Sequence, residues 1–206
     1  NPMYPPLTMD EIDAAYDLPY TRMPHPRYKG KHIPAYEMIR HSVNLHRGCF
    51  GGCAFCTISA HQGKFIASRS PRSIINEVKA VTRMPDFKGY ISDLGGPSAN
   101  MYRMGGKNIE ACSRCRRPSC LHPRPCPNLN TDHGPLLELY RQVDALPGVK
   151  KSFIGSGVRY DLSMHHTGNE KTDRTNRIFN EELIVNHVSG RLKVAPEHTC
   201  PQVLDI

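Results

Sequence analysis

The apolar residues of this chain fall into short clusters between long polar stretches, and the spacing within each cluster predicts an element. Ile74, Ile75, Val78 and Val81 recur at helical spacing. Ser70-Pro71 before them supplies an N-cap and a proline at the first helical position, so a helix is predicted from there to about Met84. Leu136, Leu137, Tyr140, Val143 and Leu146 predict a second helix, stopped by Pro147-Gly148. Leu183, Ile184 and His187 share one face of a third, over 180–188. Between these lie four short segments with strand character: Ser42–Leu45, Gly89–Leu94, Lys151–Ile154 and Leu192–Ala195.

Strand and helix alternate, which predicts an α/β fold with parallel strands joined by crossover helices. In such folds ligands bind beyond the carboxyl ends of the strands. The polar or Gly-rich loops here follow those ends, at 46–70, 94–100, 155–161 and 196–199, and are expected to converge on one rim. Residues 1–40 show little periodicity. They read as an extended arm or linker, Pro-punctuated at Pro19, Pro24, Pro26 and Pro34, with one short helix over 10–16. The core is read as 41–206, interrupted by a polar, basic, Cys-rich insertion at 97–134. Both ends read as cut: residue 1 is Asn, and the last apolar segment stops as it begins.

Composition narrows the class. A chain of 206 residues, 38% hydrophobic, is large enough for a core, which argues against wholesale disorder. It has no apolar run long enough to span a membrane and no signal-peptide pattern at its start. The eight cysteines are grouped, three at 49–56 and four at 112–126. Grouping in a chain too long to need disulfide staples points to metal ligation in a reducing, cytoplasmic setting.

The first group reads Cys49-x3-Cys53-x2-Cys56 within Arg-Gly-Cys-Phe-Gly-Gly-Cys-Ala-Phe-Cys-Thr. Three thiolates are one short of a closed zinc site. A cubane iron–sulfur cluster held by three cysteines keeps one iron open. Gly48, Gly51 and Gly52 allow a tight fold that aims amide N–H groups at sulfur. The bland alternative is three structural or zinc-binding cysteines.

This motif, with aromatic Phe55 before the third Cys, resembles the signature of the radical S-adenosylmethionine (radical SAM) superfamily. The stretch NLHRGCFGGCAFCTISAHQGKFIASRS, followed by SDLGGPSANMY, the Cys-rich segment and SGVRYDL, resembles the uncharacterised YgiQ-type radical SAM family. The likeness runs over 1–206 and is tightest over 40–200. It implies a partial (β/α) barrel, here expected to stop after four of six βα units. It also implies a [4Fe–4S] cluster on Cys49, Cys53 and Cys56, with S-adenosylmethionine chelated at the open iron. An electron from a donor protein then cleaves the cofactor to a 5′-deoxyadenosyl radical, which takes a hydrogen from an unknown substrate. By the same resemblance Gly95 and Gly96 offer backbone carbonyls to the methionine amino group, although Pro97 stands where the family's acid would be. Phe55 lies near adenine, and Glu197 accepts from the ribose. Among the residues after the third strand, Ser156 and Arg159 are further cofactor-site candidates, Arg159 by pairing with the cofactor carboxylate or an anionic substrate. Plainer readings stand beside these: a turn at Gly95-Gly96, a surface arginine, a helix cap at Glu197, a structural His198.

The second group reads Cys112-x2-Cys115-x4-Cys120-x5-Cys126, interleaved with Arg114, Arg116, Arg117 and Arg124. It predicts a metal site, either structural zinc or an auxiliary iron–sulfur cluster. His122 and His133 are spare ligands, and Cys200 reads as a plain thiol. The two groups sit on different loops, so loss of Cys115 is expected to leave the first group intact. The net charge of +8 (27 Lys and Arg against 19 Asp and Glu) invites an anionic partner. Nucleic acid is compatible with it, but the arginines alternate with Pro and Cys and no stacking-aromatic motif accompanies them. A noncatalytic, zinc-stabilised nucleic-acid-binding module is therefore the alternative function. It requires two zincs and no iron.

Overall fold

The computed structural model describes residues 5–194 and 200–204. Three of the predicted strands lie side by side. Strand β1 (Ser42–Asn44) is followed by the short β2 (His46–Arg47) and β3 (Ala67–Ser68), which pair antiparallel. The next segment is split at Ser92 into β4 (Tyr90–Ile91) and β5 (Asp93–Gly95). Its β5 half runs parallel to β1, with Val43 opposite Leu94. Its β4 half runs parallel to a later strand, Lys151–Ser152, with Ile91 opposite Ser152. The Leu94 N–H also donates to the Phe153 carbonyl at 2.8 Å, so segment 90–95 is bonded on both sides. The architecture is mixed α/β with parallel strand pairs.

Numbered along the chain, the helices begin with α1 (Met9–Tyr16), α2 (Pro34–Ile39) and α3 (Ile58–His61), of which the last two are not predicted from the sequence. Helix α4 spans Pro71–Thr82, with the Ser70 hydroxyl accepting from the Ser73 N–H at 3.2 Å and Pro71 in the first turn. Helices α5 (Ile109–Ser113) and α6 (Gly134–Asp144) follow. Ile74, Val78 and Val81 of α4 and Leu136, Leu139, Tyr140 and Val143 of α6 are buried against Val43, Leu45, Ile91 and Leu94. This is the main core. A second cluster gathers Phe50, Met101, Met104, Leu121, Leu129 and Leu162, with Cys49, Cys120 and Cys126 packed against it.

Four expectations change. The third helix starts ten residues early: α7 (Tyr160–Ser163) precedes α8 (Glu170–Glu182), and a π turn, Leu183–His187, completes the segment. The buried face of α8 includes Asp173, Asn176 and Phe179, and the two polar members break the apolar pattern. Ile184, expected on the inner face, is 61% exposed, while Leu183 and His187 are buried. The fourth strand is not formed over the described residues 192–194. Leu192 and Val194 are exposed, and the Val158 N–H donates to Lys193 O at 3.3 Å. Ala195, Glu197 and His198 lie outside the described residues. Finally, the stretch 98–104 is not part of a loose insertion. Ala99 and Tyr102 are in the main core, and the Tyr102 hydroxyl donates to the Arg69 carbonyl at 2.9 Å.

The arm is docked. Asp13 and Asp17 of the α1 segment reach the first turn of α4, where free N–H groups and the helix dipole favour carboxylates. Asp13 accepts from the Ser70 N–H at 2.9 Å, and Asp17 from the Ser73 hydroxyl at 2.7 Å. Tyr16 covers the Arg69 guanidinium, 4.2 Å from ring centroid to carbon.

Candidate functional site

The loop after β2 is built around its glycines. Gly48 (φ +89°) takes a conformation that a side chain disfavours, and a Cβ there would strike the Phe65 carbonyl. Ser59 pins the loop: its hydroxyl donates to Cys49 O at 2.8 Å and accepts from the Gly52 N–H at 3.3 Å. The Gly51 N–H points at the Cys49 sulfur, 3.4 Å away. Burial pushes the Cys49 thiol up, and the Gly51 amide and the Arg159 guanidinium partly offset this.

Cys49, Cys53 and Cys56 share one wall of a cavity of about 410 Å³ with Phe55, Pro97, Ser98, Gly157 and Arg159. Three of the four loops expected on one rim, after β2, β5 and the strand Lys151–Ser152 (β6), therefore meet here, and the fourth lies largely outside the described residues. They are tied to each other. The Ala99 N–H donates to Gly157 O at 3.0 Å, and the Gly155 and Ser156 N–H groups donate to Asp93 Oδ1 at 2.8 and 3.1 Å. Among the described residues no three His, Cys, Asp or Glu side chains are grouped as ligands of one metal ion.

The other predicted residues take mixed places. Arg159 reaches the cysteines, its Nη1 3.6 Å from Cys53 Sγ. Its bidentate edge is already taken, with Nε and Nη2 donating to Asp161 at 3.1 and 2.6 Å. It stands as a cation beside the thiols, with its fork engaged and not open to a carboxylate. Phe55 is on the cavity rim and 67% exposed. The Ser156 hydroxyl donates to Asp93 and not toward the cavity. Gly95 and Gly96 are not among the cavity residues. A Cβ on Gly96 would lie 2.5 Å from His46 Nε2, so this glycine permits the close approach of a buried histidine. Glu197 lies outside the described residues.

Sequence reasoning missed the polar groups that hold these loops. His46 Nε2 bonds Ser98 O at 3.0 Å. Asn100 clasps the Arg159 backbone at both ends, accepting from its N–H and donating to its C=O, each at 2.8 Å. Asn100 is held in turn by His133 Nε2 at 2.9 Å, and His133 Nδ1 by Asn176 Oδ1 at 2.8 Å. His133 is thus no spare ligand, since both ring nitrogens are engaged in a buried chain that ends at Arg159. His122 is exposed. Only tertiary contact distinguishes these Asn and His residues from ordinary polar positions.

Burial pushes both His46 and His133 down to about 4. In the unfolded chain both titrate near 6.5. Between these values the unfolded state binds protons that the folded state does not. Stability is therefore present in full above pH 6.5 and falls as pH drops toward 4, by up to about 1.4 kcal/mol per pH unit for each histidine. Chemical denaturation from pH 7.5 to 4.5 should show this decline, and His133→Asn should flatten it. An unchanged slope would contradict the assignment.

The four later cysteines form a second group beside the first. All four line a cavity of about 440 Å³ that Leu7 of the arm helps to cover. Burial pushes the Cys120 thiol up, with the Lys64 ammonium opposing it. The two groups sit on different loops, as read from the sequence, and those loops are bonded to each other. The Cys120 N–H donates to Phe50 O at 3.0 Å, and the Ser119 hydroxyl to Gly51 O at 2.6 Å. Gly52 (φ +62°) leaves room for the Pro118 carbonyl, which a Cβ would meet at 2.3 Å.

Comparison with known proteins is consistent with this geometry. Residues 1–42 match the family described as Radical SAM N-terminal. The chain is 69% identical to a UPF0313 protein of Bacteroides thetaiotaomicron, matching all of this chain and 33% of the relative. It is 64% identical to a UPF0313 protein of Porphyromonas gingivalis, over all of this chain and 32% of the relative. It is 52% identical to one of Methanocella arvoryzae, over 100% of this chain and 32% of the relative. The chain thus spans about a third of the length of these curated relatives. No solved structure matches. Among the described residues no helix is long and apolar enough to cross a membrane.

Proposed function

The chain belongs to an uncharacterised family of the radical SAM superfamily, and on that premise we propose that it carries the cofactor-cleaving centre of a radical SAM enzyme. The observation that supports this reading is the shared cavity. Cys49, Cys53 and Cys56 meet Phe55, Pro97, Gly157 and Arg159 there, from three strand-end loops. The parallel segments β1, β4–β5 and β6 are read as the first strands of a partial barrel whose ligand rim is this cavity.

When bound on the three thiolates, a [4Fe–4S] cluster with an open iron supplies one electron for reductive cleavage of S-adenosylmethionine to a 5′-deoxyadenosyl radical. The chain's own residues do the rest. Gly51 N–H and the Arg159 cation offset negative charge at the Cys49 and Cys53 sulfurs. Phe55 offers an aromatic face at the rim, where an adenine ring can stack. Pro97, Ser98 and Gly157 form the floor between strands, and Asp161 holds Arg159 against the thiols. Glu197 keeps its role as a ribose acceptor in this proposal. The electron comes from a separate donor protein, and the hydrogen-donating substrate is chosen by parts of the protein beyond these loops.

The test is direct. The full chain, reconstituted anaerobically with iron and sulfide and reduced with dithionite, should convert S-adenosylmethionine to 5′-deoxyadenosine and methionine. Zinc bound at Cys49, Cys53 and Cys56, with no product formed, would overturn the reading in favour of a zinc-stabilised binding module.

A further inference from the structure

Asn100, His133 and Asn176 come from the loop after β5, the residue before α6 and the middle of α8, and all three are buried. None of them lines the cavity of the first cysteine group. The hydrogens along this buried chain have one consistent assignment. Asn100 Oδ1 accepts from the Arg159 N–H, so Nδ2 is the group that meets the Arg159 carbonyl and His133 Nε2. His133 Nε2 is then an acceptor, and its Nδ1 carries the proton donated to Asn176 Oδ1. The His133 backbone N–H donates to the same oxygen at 3.2 Å, and the ring stacks on Phe179 with centroids 4.3 Å apart. The chain therefore has a fixed direction and a fixed end, on both backbone groups of Arg159.

Holding the N–H and C=O of one residue on a single amide fixes the direction of its Cα–Cβ bond. At Arg159 that direction carries the guanidinium to the cysteines. Gly51 leaves it room: a Cβ there would lie 2.8 Å from Arg159 Nη1 and 3.3 Å from Cys49 Sγ. Nη1 is thus packed against the loop, 3.6 Å from Cys53 Sγ. Asp161 belongs to the same segment as Arg159, so its bonds orient the fork but cannot set the distance to the cysteine loop. Val158 and Leu162 anchor the segment on either side by apolar packing, which is non-directional. The Asn100 clasp is the directional contact.

We propose that Asn100, braced by His133 and Asn176, is a positioning residue of the cofactor-cleaving centre. On the reading that Cys49, Cys53 and Cys56 carry an iron–sulfur cluster, Asn100 holds the Arg159 cation against their loop and thereby eases one-electron reduction there. Reduction brings one electron from the donor and adds one negative charge beside the guanidinium. A cation held nearby favours the reduced state and raises the potential. A guanidinium that drifts into solvent loses this effect to screening.

Two measurements on the full chain test this. On the metal-free protein, amide hydrogen exchange at Arg159 should be about tenfold or more faster in Asn100→Ala than in the parent, with the α4 amides unchanged. On protein reconstituted anaerobically with iron and sulfide, redox titration followed by electron paramagnetic resonance reads the cluster whose signal disappears in Cys49→Ala. At a fixed potential the ratio of reduced to oxidised cluster should fall about tenfold in Arg159→Gln, ~59 mV for one electron. It should fall about threefold or more in Asn100→Ala, and no further in Asn100→Ala/Arg159→Gln than in Arg159→Gln alone. If Asn100→Ala fails to fold, Asn176→Leu decides, because it removes only the far brace and should move exchange and ratio in the same directions. An Arg159 amide that exchanges as in the parent, an unchanged ratio, or losses that multiply in the double variant overturns the proposal. A parent that assembles no cluster overturns it together with the cofactor-cleaving reading, and that failure is distinct because it appears in the parent itself.

Discussion

Cys53→Ala is expected to abolish cofactor cleavage. Cys53 is one of three thiols lining the cavity, and Arg159 Nη1 lies 3.6 Å from its sulfur. A site with three protein ligands has none to spare, so removing one leaves two of the four irons without cysteine. Product formation should fall to background, and the iron assigned to this site should be lost. The fold should survive, because the loop is held by Ser59, by the turn from Cys56 N–H to Cys53 O and by the packing of Phe50, not by the Cys53 side chain. Arg159→Gln probes the environment of the same sulfur without removing a ligand. It should keep its iron and lower cleavage by about 10- to 100-fold, the usual effect of losing an outer partner of a metal ligand. Full iron content and activity in Cys53→Ala would end the assignment.

The largest stability effect is expected at Arg69. Its side chain is 0% exposed, yet it is charged and fully bonded. It donates to Asn44 O at 2.8 Å and to the Ser73 hydroxyl at 2.8 Å, and is paired with Glu77, which Arg22 of the arm also meets. Burial pushes the Arg69 guanidinium down to about 10, still well above neutrality. Arg69→Met should therefore cost about 3 kcal/mol, because it removes one of the two guanidinium partners of a buried carboxylate and leaves Asn44 O and the Ser73 hydroxyl short of a partner. Equilibrium denaturation measures this loss. The double variant Arg69→Met/Glu77→Leu should recover part of it, since the fully buried Arg69–Glu77 charge pair is then gone and only Arg22, partly exposed, is left without its carboxylate. A loss below about 1 kcal/mol in the single variant would mean that the network adds little. The effect should also reach the arm, because Tyr16 lies over Arg69 and Asp17 bonds Ser73.

The arm shows why part of this architecture is hard to read from one chain. Its docking depends on Asp13 and Asp17 meeting the first turn of α4 more than fifty residues away. Nothing local to Asp13 distinguishes it from any surface acid. The π turn and the long α8 were obscured for a similar reason. Asp173 and Asn176 are buried because they serve Thr167 and His133, and a buried face containing such residues has no apolar signature. Strand 192–195 illustrates the converse. Apolar alternation was present, but over 192–194 no neighbour supplies a ladder.

What the sequence determined by itself were the features with short-range causes. The cap at Ser70, the proline start of α4 and the stop at Pro147-Gly148 act through nearest neighbours. The two groups of cysteines were equally legible, because ligand spacing is a property of the local chain. The tertiary structure alone decided which distant residues serve them. It placed Arg159 beside Cys53 with its fork turned to Asp161, gave Gly96 the task of admitting His46, and removed His133 from the ligands to steady Asn100. It also joined two loops that read as separate, through Cys120 N–H on Phe50 O and Ser119 on Gly51. Apart from the Arg159–Asp161 pair, these contacts join groups from 33 to 106 positions apart, formed because buried polar atoms must find partners wherever the packing brings them together. Periodicity and motif spacing carry no record of that requirement.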